Sequence, residues 1–329
     1  MVWWCRRATN KTQSVHMKRE RPSEPPVIVV GGPTASGKSA LAMALAEEFG
    51  GVVINADAMQ VYRELPILTA RPGEADLARV PHRLFGVLGA EDPCSAGRWR
   101  DMALKAIGEA RGDGKRPIIV GGTGLYLKAL CEGIDDIPAV PSEVRAALEA
   151  RYDAQGGEAF KASLARDDPR TAERLPPGDR QRLVRAAAVL EVTGKPLSAW
   201  HEGTSDKPAI QTEAVLLLPP RDALYAACDA RFAAMVEQGA LDEARAFLAR
   251  GLDPDLPLMK AVGLRELGRH IAGEIALEEA IEEGSRATRR YAKRQYTWFR
   301  HQMPGATILN AQYSERLLIE IFKKIRQSY

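Results

Sequence analysis

The run Gly32, Pro33, Thr34, Ala35, Ser36, Gly37, Lys38, Ser39 has the spacing G-x-x-x-x-G-K-[ST], and these residue types can hold a diphosphate. Gly32 and Gly37 let the chain curl until successive backbone N–H groups point inward. Lys38 adds a cation, and a helix beginning there adds the positive end of its dipole. The Ser39 hydroxyl falls where a phosphate-bound divalent cation sits, so magnesium is the metal this loop would recruit. Amides of this kind contact oxygens and not the group behind them, so the loop alone leaves the reaction open. Asp57 is the second residue with chemistry. Its carboxylate could hold the metal, take a proton from an attacking nucleophile, or cap a helix over Ala58 to Tyr62.

These residues need a frame. The apolar run Val27 to Val30 before the loop and the alanine-rich stretch Ala40 to Phe49 after it give the order strand, loop, helix. Gly51 to Asn55 reads as a buried strand that delivers Asp57 just past its carboxyl end, the edge at which open α/β sheets bind ligands. Pro117 to Val120 repeats the grammar, running into Gly121-Gly122-Thr123-Gly124 and a helix over Leu125 to Leu130, so Thr123 should face the same crevice. The predicted fold is α/β: a P-loop parallel-sheet core with helices on both faces.

From Ile134 the composition changes. Pro138 and Pro141 punctuate an entrance, and Ser142 to Gln155 and Asp179 to Val192 read as charged amphipathic helices. Gly203 to Pro208 marks the exit, and Ala214 to Leu218 resembles a strand resumed after an interruption. This divides the chain into a flexible leader (1–26), a first part of the core (27–134), an inserted all-helical domain (135–212) and a second part of the core (213–329). Arg221 to Gly251 and Ile275 to Arg300 are mostly helical in pattern. Within the latter, Arg286, Arg289, Arg290, Lys293 and Arg294 recur at spacings of three and four and share one broad face. Such a stripe suits contact with a phosphate backbone, or is a solvated face. Arg180, Arg182 and Arg185 form a weaker cluster, and Arg231, alone on its helix, reads by default as a surface ion pair.

The 329 residues, 45% hydrophobic and 27% charged, describe an ordinary globular protein. With 46 basic against 43 acidic residues the net charge is only +3, which neither favours nor excludes a polyanionic partner. Cys5, Cys94, Cys131 and Cys228 form no C-x-x-C pair, arguing against a zinc cluster or a disulfide framework and for a cytoplasmic home. No apolar run approaches the roughly 20 residues that cross a bilayer, so no membrane span is expected.

The same motifs, in the same order, resemble the tRNA dimethylallyltransferases (isopentenyl-tRNA transferases). The likeness runs from about Val27 to Arg300 and takes in the loop at Gly32 to Ser39, Asp57 to Tyr62, Pro81-His82-Arg83, Val120 to Tyr126, Gln181-Arg182, Val262-Gly263, Ala292 to Gln295, and Thr297-Trp298. It implies transfer of a dimethylallyl group from its diphosphate to the exocyclic amine of adenosine-37, immediately 3′ of the anticodon, in tRNAs that read codons beginning with U. By this resemblance the loop binds a leaving group, with Lys38, Ser39-bound magnesium and Arg231 reaching the diphosphate. Asp57 matches the residue that accepts the proton, and Thr123 one that contacts the target base. The tRNA contacts that the likeness implies are Asp57, Ala58, Met59, Gln60, Thr123, Arg145, Gln181 to Arg185 (with Leu183 and Val184), and Lys260, Ala261, Val262, Gly263, Leu264 and Arg265. Arg289, Lys293 and Arg294 come from the basic stripe, and a monomer is the implied state. Two positions depart from the pattern: Ala58 stands where the family usually has Ser, and Leu68-Thr69-Ala70-Arg71-Pro72 where Gly-Thr-Ala-Lys-Pro is common.

Two other classes share some features. A small-molecule kinase would explain Lys38 and Ser39 but not the basic stripe. A nucleotide-switched RNA-binding protein would explain loop and stripe but gives Asp57 and Thr123 no common task.

Overall fold

A computed structural model describes residues 24–135, 137–201 and 210–327; the leader to residue 23 and the expected exit at Gly203 to Pro208 lie outside them. In chain order the elements are β1 (Val27–Gly31), α1 (Lys38–Phe49), β2 (Gly51–Asn55), α2 (Glu74–Arg79), β3 (His82–Arg83), α3 (Ala96–Gly112), β4 (Arg116–Gly121) and α4 (Gly124–Glu132). There follow α5 (Ser142–Leu164), α6 (Pro169–Arg174), α7 (Arg180–Thr193), α8 (Leu197–Trp200), β5 (Thr212–Leu217), α9 (Arg221–Glu237) and α10 (Ala240–Leu248). A 3-10 turn (Pro257–Lys260), α11 (Leu264–Ile271), α12 (Leu277–Gln302), β6 (Thr307–Leu309) and α13 (Glu315–Gln327) complete them.

The strands form one sheet in the order β3-β2-β4-β1-β5-β6, parallel at every pairing. Side chains alternate between its faces with the two-residue period of a strand. Ile28, Val30, Val53, Ile118, Val120, Val215 and Leu217 pack under α1 and α13, whereas Val27, Val29, Val52, Ile54, Ile119 and Leu216 face a larger core with α3, α4 and the helices after β5. Burial on both faces explains why β1, β2 and β4 read as unbroken apolar runs rather than alternating ones. Gly31 lies opposite Gly121 and Asn55 opposite Val120, so the loops after β1, β2 and β4 leave the sheet at one level.

Helices α5 to α8 have a core of their own, built on Leu148, Phe160, Leu164, Leu183 and Val184. Buried Asp168 ties it together, its carboxylate accepting the Thr171 and Ser198 N–H groups at 3.1 Å each. The chain departs and returns at neighbouring points, since the Thr212 hydroxyl lies 3.8 Å from Cys131 Sγ on α4. β5 then takes its place beside β1, with Val27 against Thr212 and Gly31 against Leu216. Gly156, with φ 77°, breaks α5, and the helix continues beyond the expected Gln155 to Leu164. Among the described residues no helix is long and apolar enough to cross a membrane.

Candidate active site

The phosphate loop is fixed from behind. Tyr313 donates its N–H to Ser36 O at 3.3 Å, and Gln312 Nε2 donates to Ala35 O at 3.3 Å. Gly37, with φ 87°, caps α1; a Cβ there would come within 2.5 Å of Tyr313 Cβ, so both conformation and space demand glycine. The first-turn amides of α1, from Lys38 and the exposed Ser39 onward, have no intrahelical partner. Ser36 is fully buried, and its hydroxyl has no partner among the described residues. A loop with an orphaned hydroxyl and unpaired helix N-terminal amides fits an anion. Lys38 Nζ donates to Pro33 O at 3.2 Å, and burial pushes its ammonium down to about 8, partly offset by Asp57. Burial also holds the Arg231 guanidinium below its usual range, again opposed by Asp57. Arg231 is therefore a cation of the crevice, which corrects its reading as a surface ion pair. Two cations with burial as their main cost call for an anionic ligand.

No helix starts at Asp57; the chain turns there, and Asp57 Oδ1 accepts the Met59 N–H at 2.9 Å. Buried Asn55 sets the carboxylate's position. Its Oδ1 accepts the Asp57 N–H at 2.8 Å, while its Nδ2 donates to Asp57 O at 3.0 Å and Leu84 O at 3.1 Å. Trp99 Nε1 donates to Asn55 O at 2.8 Å, and its ring stacks on Tyr126 with centroids 4.6 Å apart. Thr123 joins this group: its Oγ1 accepts the Ala58 N–H at 2.8 Å, and its N–H donates to Ala56 O at 3.2 Å. The link between the loops after β2 and β4 thus runs through the Ala58 backbone and needs no hydroxyl at that position.

Asp57, Thr34 and Arg231 sit around a cavity of about 180 Å3 whose other walls include Met59, Leu68, Phe232, Met235, Val262 and Tyr291. Phe232 is held between two glycines, since a Cβ at Gly263 or Gly284 would come within 2.3 Å of its ring. Burial, reinforced by the Asp57 charge, raises the Tyr291 hydroxyl's pKa well above its usual value, so it stays neutral. The cavity's lining thus combines charged side chains, Asp57, Arg231, Lys260 and Arg294, with an apolar set.

The remaining candidates fall into three groups. Lys260, Ala261, Val262 and Arg294 line the cavity, whereas Gly263 and Leu264 are buried in packing. Gln60 uses its amide internally, donating to Thr69 O at 2.8 Å and Ala70 O at 3.0 Å, which pins the 68–72 segment. Leu68 also donates its N–H to Glu243 at 2.8 Å. Arg145, Gln181, Arg182, Arg185, Arg265 and Lys293 are exposed. Leu183 and Val184, 0% and 3% exposed, belong to the core of α5 to α8, because the helical period that exposes Arg182 and Arg185 turns those two side chains inward, so within the expected Gln181 to Arg185 contact segment their side chains are not at the surface. Arg289 is engaged by Asp229 of α9 at 2.5 Å, so the basic face of α12 is narrower than its sequence spacing predicts. Gln295, Asn55 and Tyr291 were not singled out as site residues. Their one signal in the sequence is position, polar groups set within the Asn55 to Tyr62 and Tyr291 to Gln295 segments.

A loop with phosphate-binding spacing, a carboxylate and a partly apolar cavity at the carboxyl edge of a parallel sheet define a P-loop-type site. A family model described as IPP transferase matches residues 60–302, and one described as isopentenyl transferase matches residues 25–85. A tRNA dimethylallyltransferase of Rhodopseudomonas palustris (strain BisB18) is 54% identical over 84% of this chain and 88% of its own length. One of Paramagnetospirillum magneticum is 51% identical over 92% and 96%. Among solved structures, the full-length tRNA isopentenylpyrophosphate transferase of Bacillus halodurans superposes with a TM-score of 0.66 at 32% identity, over 93% of this chain and 97% of its own. A eukaryotic dimethylallyltransferase acting on tRNA superposes with 0.78 at 25% identity, over 92% and 80%. The chain belongs to the tRNA dimethylallyltransferase family, and is a prenyltransferase enzyme.

Proposed function

We propose that this enzyme transfers the dimethylallyl group of dimethylallyl diphosphate to the exocyclic amine of adenosine-37, next to the anticodon, in tRNAs reading codons that begin with U. The observation that carries this reading is the polarity of the cavity. Asp57 and Arg231 stand in its lining, with Lys38 close enough to feel both charges, and Met59, Leu68, Phe232 and Met235 give it apolar walls suited to five carbons.

In this reading the allylic C–O bond breaks as the N–C bond forms. Lys38, Arg231, the backbone amides of Gly37, Lys38 and Ser39 and the Ser36 hydroxyl take up the negative charge that grows on the departing diphosphate. Asp57, its Oδ1 occupied by Met59 N–H, accepts the proton lost by the amine. Thr123, held between Ala56 and Ala58, faces the base, which must leave its stack to reach the cavity, at a cost of about a few kcal/mol. Met59, Lys260, Ala261 and Val262, which line the cavity, would border the base on its way in. Arg145, Gln181, Arg182 and Arg185 on the insertion, with Lys293 and Arg294 on α12, would grip the anticodon arm through phosphates and shape.

Magnesium fits the same loop. Among the described residues no cluster of three metal-ligating side chains exists, and magnesium characteristically keeps waters and takes oxygens from a substrate phosphate with few protein ligands. The Ser39 hydroxyl would hold it, and its charge would offset that of the leaving diphosphate. The reading includes a monomeric, cytoplasmic enzyme. Incubation with unmodified tRNA, magnesium and labelled dimethylallyl diphosphate should put label into tRNA. Incorporation from labelled ATP instead would favour the kinase reading.

A further inference from the structure

We propose that Gln295 is a positioning residue: it locks the diphosphate loop to the loop that carries Thr123, and so holds leaving group and nucleophile in register. The inference rests on the prenyl transfer proposed above. Gln295 is 6% exposed and lies on α12, far in sequence from both loops. Its Oε1 accepts the Thr34 N–H at 2.8 Å, and its Nε2 donates to Gly122 O at 2.8 Å.

A carboxamide offers an acceptor and a donor on one rigid plane, and here each is spent on a different loop. Because Thr34 gives its N–H to Gln295, that amide is not available to the diphosphate, so its function is attachment. The junction leaves no slack. A Cβ at Gly122 would approach Gln295 Nε2 to 2.2 Å, one at Gly124 would meet the Trp298 ring at 2.2 Å, and one at Gly31 would meet Phe299 at 2.7 Å. Gln295, Trp298 and Phe299 therefore seat one face of α12 across the ends of β1 and β4. The transfer needs the amine and the allylic carbon about 3–3.5 Å apart before reaction, and an error of about 1 Å costs about 10²-fold in rate. A single side chain fixing both loops bears directly on that distance.

The test compares wild type, Gln295→Leu and Gln295→Glu, all folded at the assay temperature by thermal melting, in prenyl transfer to unmodified tRNA with both substrates saturating. Gln295→Leu should lower kcat by about 10²-fold while its Kd for tRNA stays within a few-fold of wild type. Gln295→Glu gives the signature that a purely structural role lacks. When protonated, its carboxyl still accepts from Thr34 and donates to Gly122; when ionised it can only accept, and it opposes the Gly122 carbonyl. Burial next to that carbonyl raises its pKa, so activity relative to wild type should be near normal in acid and fall as pH rises. Lys38 on α1, Asp57 after β2, Arg231 on α9, Lys260 of the 3-10 turn and Tyr291 and Arg294 on α12, ionisable groups of the crevice, are common to all three proteins and cancel in that ratio. A ratio that is flat with pH, or a Gln295→Leu kcat within about twofold of wild type, would overturn the assignment. Should Gln295→Leu not fold, the pH ratio of Gln295→Glu decides. A wild type that transfers no prenyl group would count against the proposed reaction itself.

Discussion

At the scale of single residues, Asp57 and Lys38 carry opposite duties and invite separate tests. Asn55 grips the Asp57 backbone on both sides, so Asp57→Asn keeps the turn, including an acceptor for Met59 N–H, and removes only the base. Single-turnover transfer should slow by about 10²–10⁴-fold with tRNA affinity unchanged; an unaltered rate would leave Asp57 a role in the turn alone. Lys38 is governed by burial, which brings its ammonium down to about 8. The free enzyme thus loses this proton as pH passes about 8, whereas a bound diphosphate retains it and raises the pKa. Linkage then requires binding above that pH to take up a proton. Calorimetry should show a Kd for dimethylallyl diphosphate that is steady below it and weakens by up to about tenfold per pH unit above it. A Kd independent of pH over this range would mean that Lys38 does not touch the donor.

At the scale of elements, α12 combines two tasks on two faces. Thr288, Ala292, Gln295 and Phe299 face the core, and Lys293 and Arg294 are exposed. Changing Lys293 and Arg294 together to Ala should weaken tRNA binding and reduce the slope of log K against log salt by about one to two. Arg289→Ala should change the slope less, because Asp229 already holds that guanidinium. Equal slopes for both variants would contradict this division. The strands that matter to the site, Gly51 to Asn55 and the stretch around Pro117 to Val120, were legible because burial on both faces makes them unbroken apolar runs next to glycine turns. β3 and β6, with two and three residues, are too short to show a period. α3, begun at Ser95, whose hydroxyl accepts the Arg98 N–H, was also missed, and with it Trp99, which holds the Asn55 carbonyl. The hydrogen bonds of Gln295 span 261 and 173 positions, and no local pattern reports contacts of that range.

At the scale of the whole molecule, helices α5 to α8 have their own hydrophobic core, and the chain on either side of them meets where Thr212 approaches Cys131. Replacing residues 135–211 by a short Gly/Ser linker should leave the sheet and the donor site intact, with the Kd for dimethylallyl diphosphate within a few-fold of wild type, and should sharply weaken tRNA binding. If filter binding showed unchanged tRNA affinity, the basic face of α12 would be the main grip. Helices α5 and α7 were legible as charged amphipathic stretches, but the pairing of Arg180 with Asp153 and Glu149 was not, because charges brought together from different helices look like separate patches along the chain.

The account depends most on what fills the cavity lined by Asp57 and Arg231 beside Lys38. A crystal structure with a non-hydrolysable thiolo analogue of dimethylallyl diphosphate tests it directly. The diphosphate should lie on the Gly32 to Ser39 loop within reach of Lys38 and Arg231, with the five-carbon chain between Met59 and Phe232 and its first carbon turned toward Asp57. A cavity that excludes the analogue and takes a nucleoside triphosphate on the same loop would contradict it.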